Sequence, residues 1–178
     1  MCSSDLDHSH ALPALIAMQL GYHVYVQKPL AHTVEETRLL HAAAKRSGVI
    51  TSMGNQGTAM DGFRGAVEVV RSGILGEISE VHVWTDRPIW PQGMARPKHV
   101  DPIPGPLRWD LWLGAAPYRS YAAPRPEAGF KGYTPFHWRA FWDFGTGALG
   151  DMACHVANLP FYALELTDPE WVEAEADG

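Results

Sequence analysis

His23-Val24-Tyr25-Val26-Gln27-Lys28-Pro29, then Thr33-Val34-Glu35-Glu36, then Gly48-Val49-Ile50-Thr51-Ser52-Met53 is the stretch on which the fold turns. The first run is short, β-branched and aromatic, which predicts a strand over residues 23–27. Thr33 with Glu36 three positions later is a capping box. The helix it opens runs through Leu39, Leu40, Ala43 and Ala44 to Lys45-Arg46, and Gly48 closes it. Residues 49–53 then predict a second strand. Strand, helix and strand at this spacing form a βαβ unit, so the two strands run parallel. In open parallel sheets ligands bind at the carboxyl ends of the strands. Gln27-Lys28-Pro29 and Gly54-Asn55-Gln56-Gly57 fall there.

Working outward, residues 10–20 carry a helix pattern, with Pro13 in its first turn and Gly21 just past its end. The leader from Met1 to Leu6 has no apolar signal-peptide core and reads as a translated adapter remnant. At the other end, Trp171 begins a strand-like alternation that stops at Gly178. Both ends predict a fragment truncated on each side. A third helix is expected over residues 61–72, with Phe63, Ala66, Val67 and Val70 on one side. Residues 78–85 alternate apolar and polar and predict the strand that begins a second sheet. From Arg87 to Pro135 the chain is Pro-rich and holds Trp90, Trp109, Trp112, Tyr118, Tyr121 and Tyr133, so we expect a long irregular segment that packs. Helical turns are predicted at 109–113 and 137–142, and a last helix over 147–164 broken at Pro160.

Composition narrows the classes. The 178 residues are 46% hydrophobic and 11% aromatic with seven Trp, which suits a packed core rather than a disordered chain. The net charge is −6 and no basic run occurs, so nothing recommends a nucleic-acid partner. No stretch approaches the ~18 apolar residues of a transmembrane helix, and no membrane partner is expected. Two cysteines, Cys2 and Cys154, cannot build a disulfide framework and are read as reduced and metal-free. The default compartment is the cytoplasm, with export left open by the missing native start.

Few residues suggest chemistry. Lys28 sits at a strand's carboxyl end, and Pro29 turns it away from helical geometry. A cation there can hydrogen-bond ligand hydroxyls; on spacing alone a solvated loop lysine explains it as well. Asp151 and His155 are four apart on a predicted helix and share a face. Such a pair can do acid–base work, or it can be an ordinary helix pair. His8-Ser9-His10 has a metal-like spacing but nothing to support the ring orientation a metal needs, so no metal is expected. Trp138 and Arg139 can stack on or clamp a ligand, or simply pack.

Together these segments resemble the Gfo/Idh/MocA oxidoreductase family. The resemblance is carried by Asp7-His8-Ser9-His10, by the run ending Gln27-Lys28-Pro29-Leu30, by Gly54-Asn55-Gln56-Gly57, and by the segment from His137 through Gly145-Thr146-Gly147 to Asp151-Met152-Ala153-Cys154-His155. It covers nearly everything from Asp7 onward. It implies an α/β chain: a partial Rossmann-like doubly wound nucleotide-binding domain, residues 1–56, followed by the start of an α+β second domain with an open sheet, residues 57–178. It also implies an NAD(P)-dependent dehydrogenase of sugars or cyclic polyols, with NAD or NADP as cofactor, inactive as this fragment. Lys28, Asp151 and His155 would be catalytic. His155 would take the hydroxyl proton, and Asp151 would orient the substrate and tune His155. His8, His10, Gln27, Lys28, Pro29, Asn55, Gln56, Trp138 and Arg139 would line the cofactor, with Asn158 beside the substrate.

The departures are Gln27, where the family has Glu, and the absence of a G-x-G-x-x-G fingerprint. The first predicts a less firmly oriented Lys28. The second places the pyrophosphate site and the residue choosing NAD or NADP upstream. The parent is expected to be a homo-oligomer. Two other functions compete: an NAD-dependent glycoside hydrolase of the same wider family, with Trp90, Trp109 and Trp112 stacking on a glycan, and a non-catalytic binding protein on the same scaffold.

Overall fold

The computed structural model describes residues 6–175. Its chain divides into two compact units, one of Met1–Asn55 with Thr85–Cys154, the other of Gln56–Trp84 with His155–Gly178.

The first unit opens on helix α1, Ala11–Gln19, and strand β1, Val24–Gln27. Helix α2, Val34–Ser47, then leads to strand β2, Thr51–Gly54. The Thr33 and Glu36 capping box is present in full, and Gly48 closes α2 at φ 65°, a left-handed conformation that suits glycine. The strands pair in parallel, Val24 opposite Thr51 through Gln27 opposite Gly54. This bears out the βαβ reading. Small side chains let α1 lie close on α2: Ala11, Ala14 and Met18 meet Ala31, Leu40 and Ala43. Val24 and Val26 pack against that cluster, whereas Tyr25 points away from it and is exposed. The alternation of β1 therefore puts one face of the small sheet on the helices. Lys28 N–H continues the ladder past β1 by donating to Gly54 O at 3.2 Å.

The irregular stretch behaves as its aromatics predict. Helix α4, Trp109–Leu113, is short, and most of the rest is loop. Trp90, Trp109, Tyr121, Phe130, Tyr133, Trp138, Phe141 and Phe144 form one buried aromatic core. At its centre lies a charge, Arg119. Its guanidinium carbon is 4.6 Å from the Phe144 ring centroid and 5.3 Å from that of Tyr133. Asp143 pairs with Arg119, and Arg96 binds the other Asp143 oxygen at 2.6 Å. A buried guanidinium needs such a partner.

The second unit contains helix α3, Asp61–Arg71, and helix α6, Asn158–Ala163, which pack together. Arg71 donates to Tyr162 O at 2.7 Å, satisfying a carbonyl left open near the end of α6. Helix α5, Gly147–Val156, carries the division between Cys154 and His155.

Three local expectations are corrected. Residues 78–85 form no strand, because among the described residues no strand pairs with them, and Val81, Val83 and Trp84 stay exposed. Residues 171–175 are irregular as well. The last helix breaks at Ala157 rather than at Pro160. Pro160 instead lies in the first turn of α6, where an absent N–H costs nothing.

Candidate functional site

The site gathers at the carboxyl ends of β1 and β2. Lys28 follows β1, and its peptide bond to Pro29 is cis. Its ammonium forms an ion pair with Asp151 Oδ1, and the side chains are only 12% and 8% exposed. The other Asp151 oxygen faces Arg139 Nε at 3.8 Å. One buried carboxylate thus sits between two cations. Gln27 Oε1 accepts the Lys28 backbone N–H at 3.2 Å, and Asp151 holds the ammonium.

Arg139 is itself fixed. Its guanidinium lies 4.2 Å from the Trp138 ring centroid and 4.4 Å from that of Phe136, and Nη1–H donates to Phe136 O at 3.2 Å. Trp138 is 1% exposed. It serves as a platform under Arg139 inside the core, a correction to its expected place against a ligand. Trp90 and Trp109 are buried too, and Trp112 stacks on Trp109 at 4.7 Å. Trp90, edge-on to Phe136, and Trp109 are therefore core side chains, and half-buried Trp112 has one face covered by Trp109.

Asn55 follows β2 and is buried; its Nδ2–H donates to Cys154 O, tying the strand end to α5. His10 is buried, and its Nδ1–H donates to Pro29 O at 2.6 Å, which brings the first histidine segment to the lysine turn. His8 goes elsewhere. It is buried against Phe144 and Trp112, and its Nε2–H donates to Leu113 O at 3.0 Å. Burial holds its pKa below the ordinary imidazole value, so the ring is neutral at pH 7. That placement sets His8 against the aromatic core, on the wall of a cavity that His32, Glu36 and Arg96 also line.

Asp7 was not singled out by its spacing. It is buried, and its Oδ2 accepts Thr146 N–H at 3.0 Å and Thr146 Oγ1–H at 2.9 Å. Its sequence signal was its place at the head of the Asp7-His8-Ser9-His10 segment. His155 follows Asp151 by four residues on α5, so the two project from one side of that helix. Gln56 begins a short 3-10 turn in the second unit and is exposed; Asn158 begins α6 there. Among the described residues no group of three His, Cys, Asp or Glu side chains is placed to hold a metal ion, and no helix is long and apolar enough to cross a membrane.

A buried ammonium at a strand end, held by a carboxylate, supplies a hydrogen-bond donor. Residues 64–178 match the model of an oxidoreductase family's C-terminal alpha/beta domain. A 1-carboxy-3-chloro-3,4-dihydroxycyclohexa-1,5-diene dehydrogenase from Comamonas testosteroni is 34% identical over 73 residues, 41% of this chain. The matched stretch spans 18% of that dehydrogenase's length.

Proposed function

The chain belongs to the Gfo/Idh/MocA oxidoreductase family, and from that premise we propose that it carries the substrate-side machinery of an NAD(P)-dependent dehydrogenase acting on a secondary hydroxyl of a sugar or cyclic polyol. The observation that carries the proposal is the buried Lys28–Asp151 pair at the end of β1. The similar dehydrogenase is named for a ring with two hydroxyl groups, which favours the cyclic-polyol class.

The polar groups at the strand ends fit the nicotinamide half of such a cofactor. Lys28 and Asn55 sit where open α/β sheets bind ligands, and the Gln27 amide lies beside them. The glycine-rich cradle for the pyrophosphate is not in this sequence, so these residues would hold only the nicotinamide and its ribose. When bound, the nicotinamide supplies the hydride acceptor. His155 takes the proton of the substrate hydroxyl as its C–H bond breaks, leaving a carbonyl. Lys28 donates a hydrogen bond to the same oxygen and stabilises the negative charge that grows on it. Asp151 keeps the ammonium aimed, and Arg139 keeps Asp151 in place. A nucleotide-binding domain of Rossmann type, cytoplasmic residence and homo-oligomeric assembly belong to the same proposal.

The glycosidase alternative loses the exposed indoles that motivated it. A non-catalytic scaffold would keep the ion pair but not turnover. The test is reduction of NAD or NADP by the full-length protein across a panel of sugars and cyclic polyols, beside Lys28→Ala. We expect turnover with at least one polyol and a loss of about 10²-fold or more in Lys28→Ala. Undiminished turnover in Lys28→Ala, or no turnover on the whole panel, would refute the assignment.

A further inference from the structure

Among the described charged residues of the first unit Asp7 is the least exposed, at 3%, and the mechanism above does not use it. Both hydrogen bonds on its Oδ2 come from one residue, Thr146. The next residue adds a third link, His8 N–H to Phe144 O at 3.3 Å. The turn that leads into α5 is thereby fastened to the start of the chain.

Thr146 is gripped from its other side as well. A Cβ on Gly150 would fall 2.4 Å from Thr146 Cβ, so the threonine lies directly on the helix backbone one residue before Asp151. A Cβ on Gly145 would fall 2.9 Å from Arg139 Cα, so the preceding residue is pressed on the backbone of the second cation's own residue. Asp7, Thr146 and Gly150 form a continuous stack, and Asp151 meets Lys28 and Arg139 immediately beyond it. Burial pushes the Asp7 carboxyl up, and nearby Asp151 pushes it further, while the two Thr146 bonds pull it down. In either protonation state Oδ2 keeps a lone pair for each bond.

We propose that Asp7 is a positioning residue: by gripping Thr146 it fixes the start of α5, and with it the register in which Asp151 engages Lys28. Only its effect on turnover rests on the dehydrogenase reading. The effect on the ion pair does not.

The experiment reads that pair directly. The chain is acetylated with an N-hydroxysuccinimide ester, and the rate at Lys28 is measured by peptide mass spectrometry relative to the exposed Lys45, Lys98 and Lys131 in the same sample. The three exposed lysines correct for reagent and dose, and because unfolding would also free Lys28, the ratio is read only in variants whose near-UV circular dichroism and urea midpoint show the first unit folded. We expect Asp7→Ala to raise the Lys28 ratio about tenfold or more, the scale of one or two lost charge-assisted bonds. Asp7→Asn, whose carbonyl oxygen can take both Thr146 bonds, should stay within about twofold of wild type. Thr146→Val, which loses the hydroxyl bond alone, should give a rise of about threefold. An unchanged ratio in Asp7→Ala overturns the proposal, as does an Asp7→Asn ratio equal to that of Asp7→Ala. If Asp7→Ala does not fold, an unchanged ratio in Thr146→Val overturns it. In the full-length protein, Asp7→Ala should lower turnover and Asp7→Asn restore it. A Lys28 ratio that responds in a protein without turnover rejects the dehydrogenase reading and leaves the clamp standing.

Discussion

Removing Asp151 should cost the first unit more than removing Lys28, although the two form one ion pair. Both side chains are largely buried, 8% and 12% exposed, so the pair is not one of the surface bridges worth about 0–1 kcal/mol. The asymmetry comes from Arg139, whose Nε lies 3.8 Å from the second carboxylate oxygen. Unit charges at that 3.8 Å separation attract by roughly 4 kcal/mol at an effective dielectric of about 20, before desolvation is subtracted. Removing one partner of a buried pair costs about 3–5 kcal/mol because the other charge is stranded. Lys28→Met strands a carboxylate that still faces Arg139, so we expect about half of that, ~2 kcal/mol. Asp151→Ala strands two cations against each other, and the full ~3–5 kcal/mol is expected. Urea unfolding followed by tryptophan fluorescence measures this, since Trp90, Trp109, Trp112, Trp138 and Trp142 all belong to the first unit. A Lys28→Met cost equal to or above that of Asp151→Ala would refute the two-cation account. So would two single costs below about 0.5 kcal/mol, the range of ordinary surface changes.

Other outcomes follow from the same geometry. Gly150→Ala should destabilise by about 1–3 kcal/mol in urea, because its methyl group would strike Thr146, even though alanine is the better helix former by ~1 kcal/mol. Asp7 has its pKa raised by burial above the ordinary 3.8, so the stability it contributes is full below pH 3.8 and is lost as pH rises through its folded value. Asp7→Asn should remove that fall from a pH series of melting temperatures. His8 has its pKa lowered by burial, so its contribution is present above pH 6.5 and is lost as pH falls through its folded value. His8→Gln should flatten the acid side of the same series. Cys154, whose thiol burial pushes up, should react with iodoacetamide at pH 8 at least about tenfold more slowly in the folded chain than in urea.

The local rules that read this sequence well are those with short reach. Thr33 and Glu36 fix a helix start within one turn, Gly48 fixes its end, and β-branched runs on either side give parallel strands. Lys28 and Asp151 were both nameable because each has a distinctive setting, a strand end before proline and an apolar helix. Their contact was not, since nothing local says that a helix 123 residues away returns to that strand. Trp138 and Trp109 misled for a related reason: an indole looks the same in a core as in a binding groove, and only its neighbours decide. Arg119 escaped notice entirely, because a cation wrapped by Phe144 and Tyr133 has no periodicity to betray it. Residues 78–85 have the strand pattern, but pattern specifies a face and not a partner.

The bonds that define the site join residues far apart along the chain: Asp7 to Thr146 across 139 positions, Lys28 to Asp151 across 123, and Asn55 to Cys154 across 99. Closing a loop costs little more when it is longer, about 0.6 kcal/mol for each doubling. The three closures are therefore nearly equal in cost when each is made alone. They are not equal in sequence. Once any one has formed, α5 already lies beside β1 and β2, and the others close over short distances. The site should then assemble in one step, and during synthesis that step has to wait until α5 has left the ribosome. Up to that moment Lys28 and Asp7 are complete in sequence and have nothing to hold.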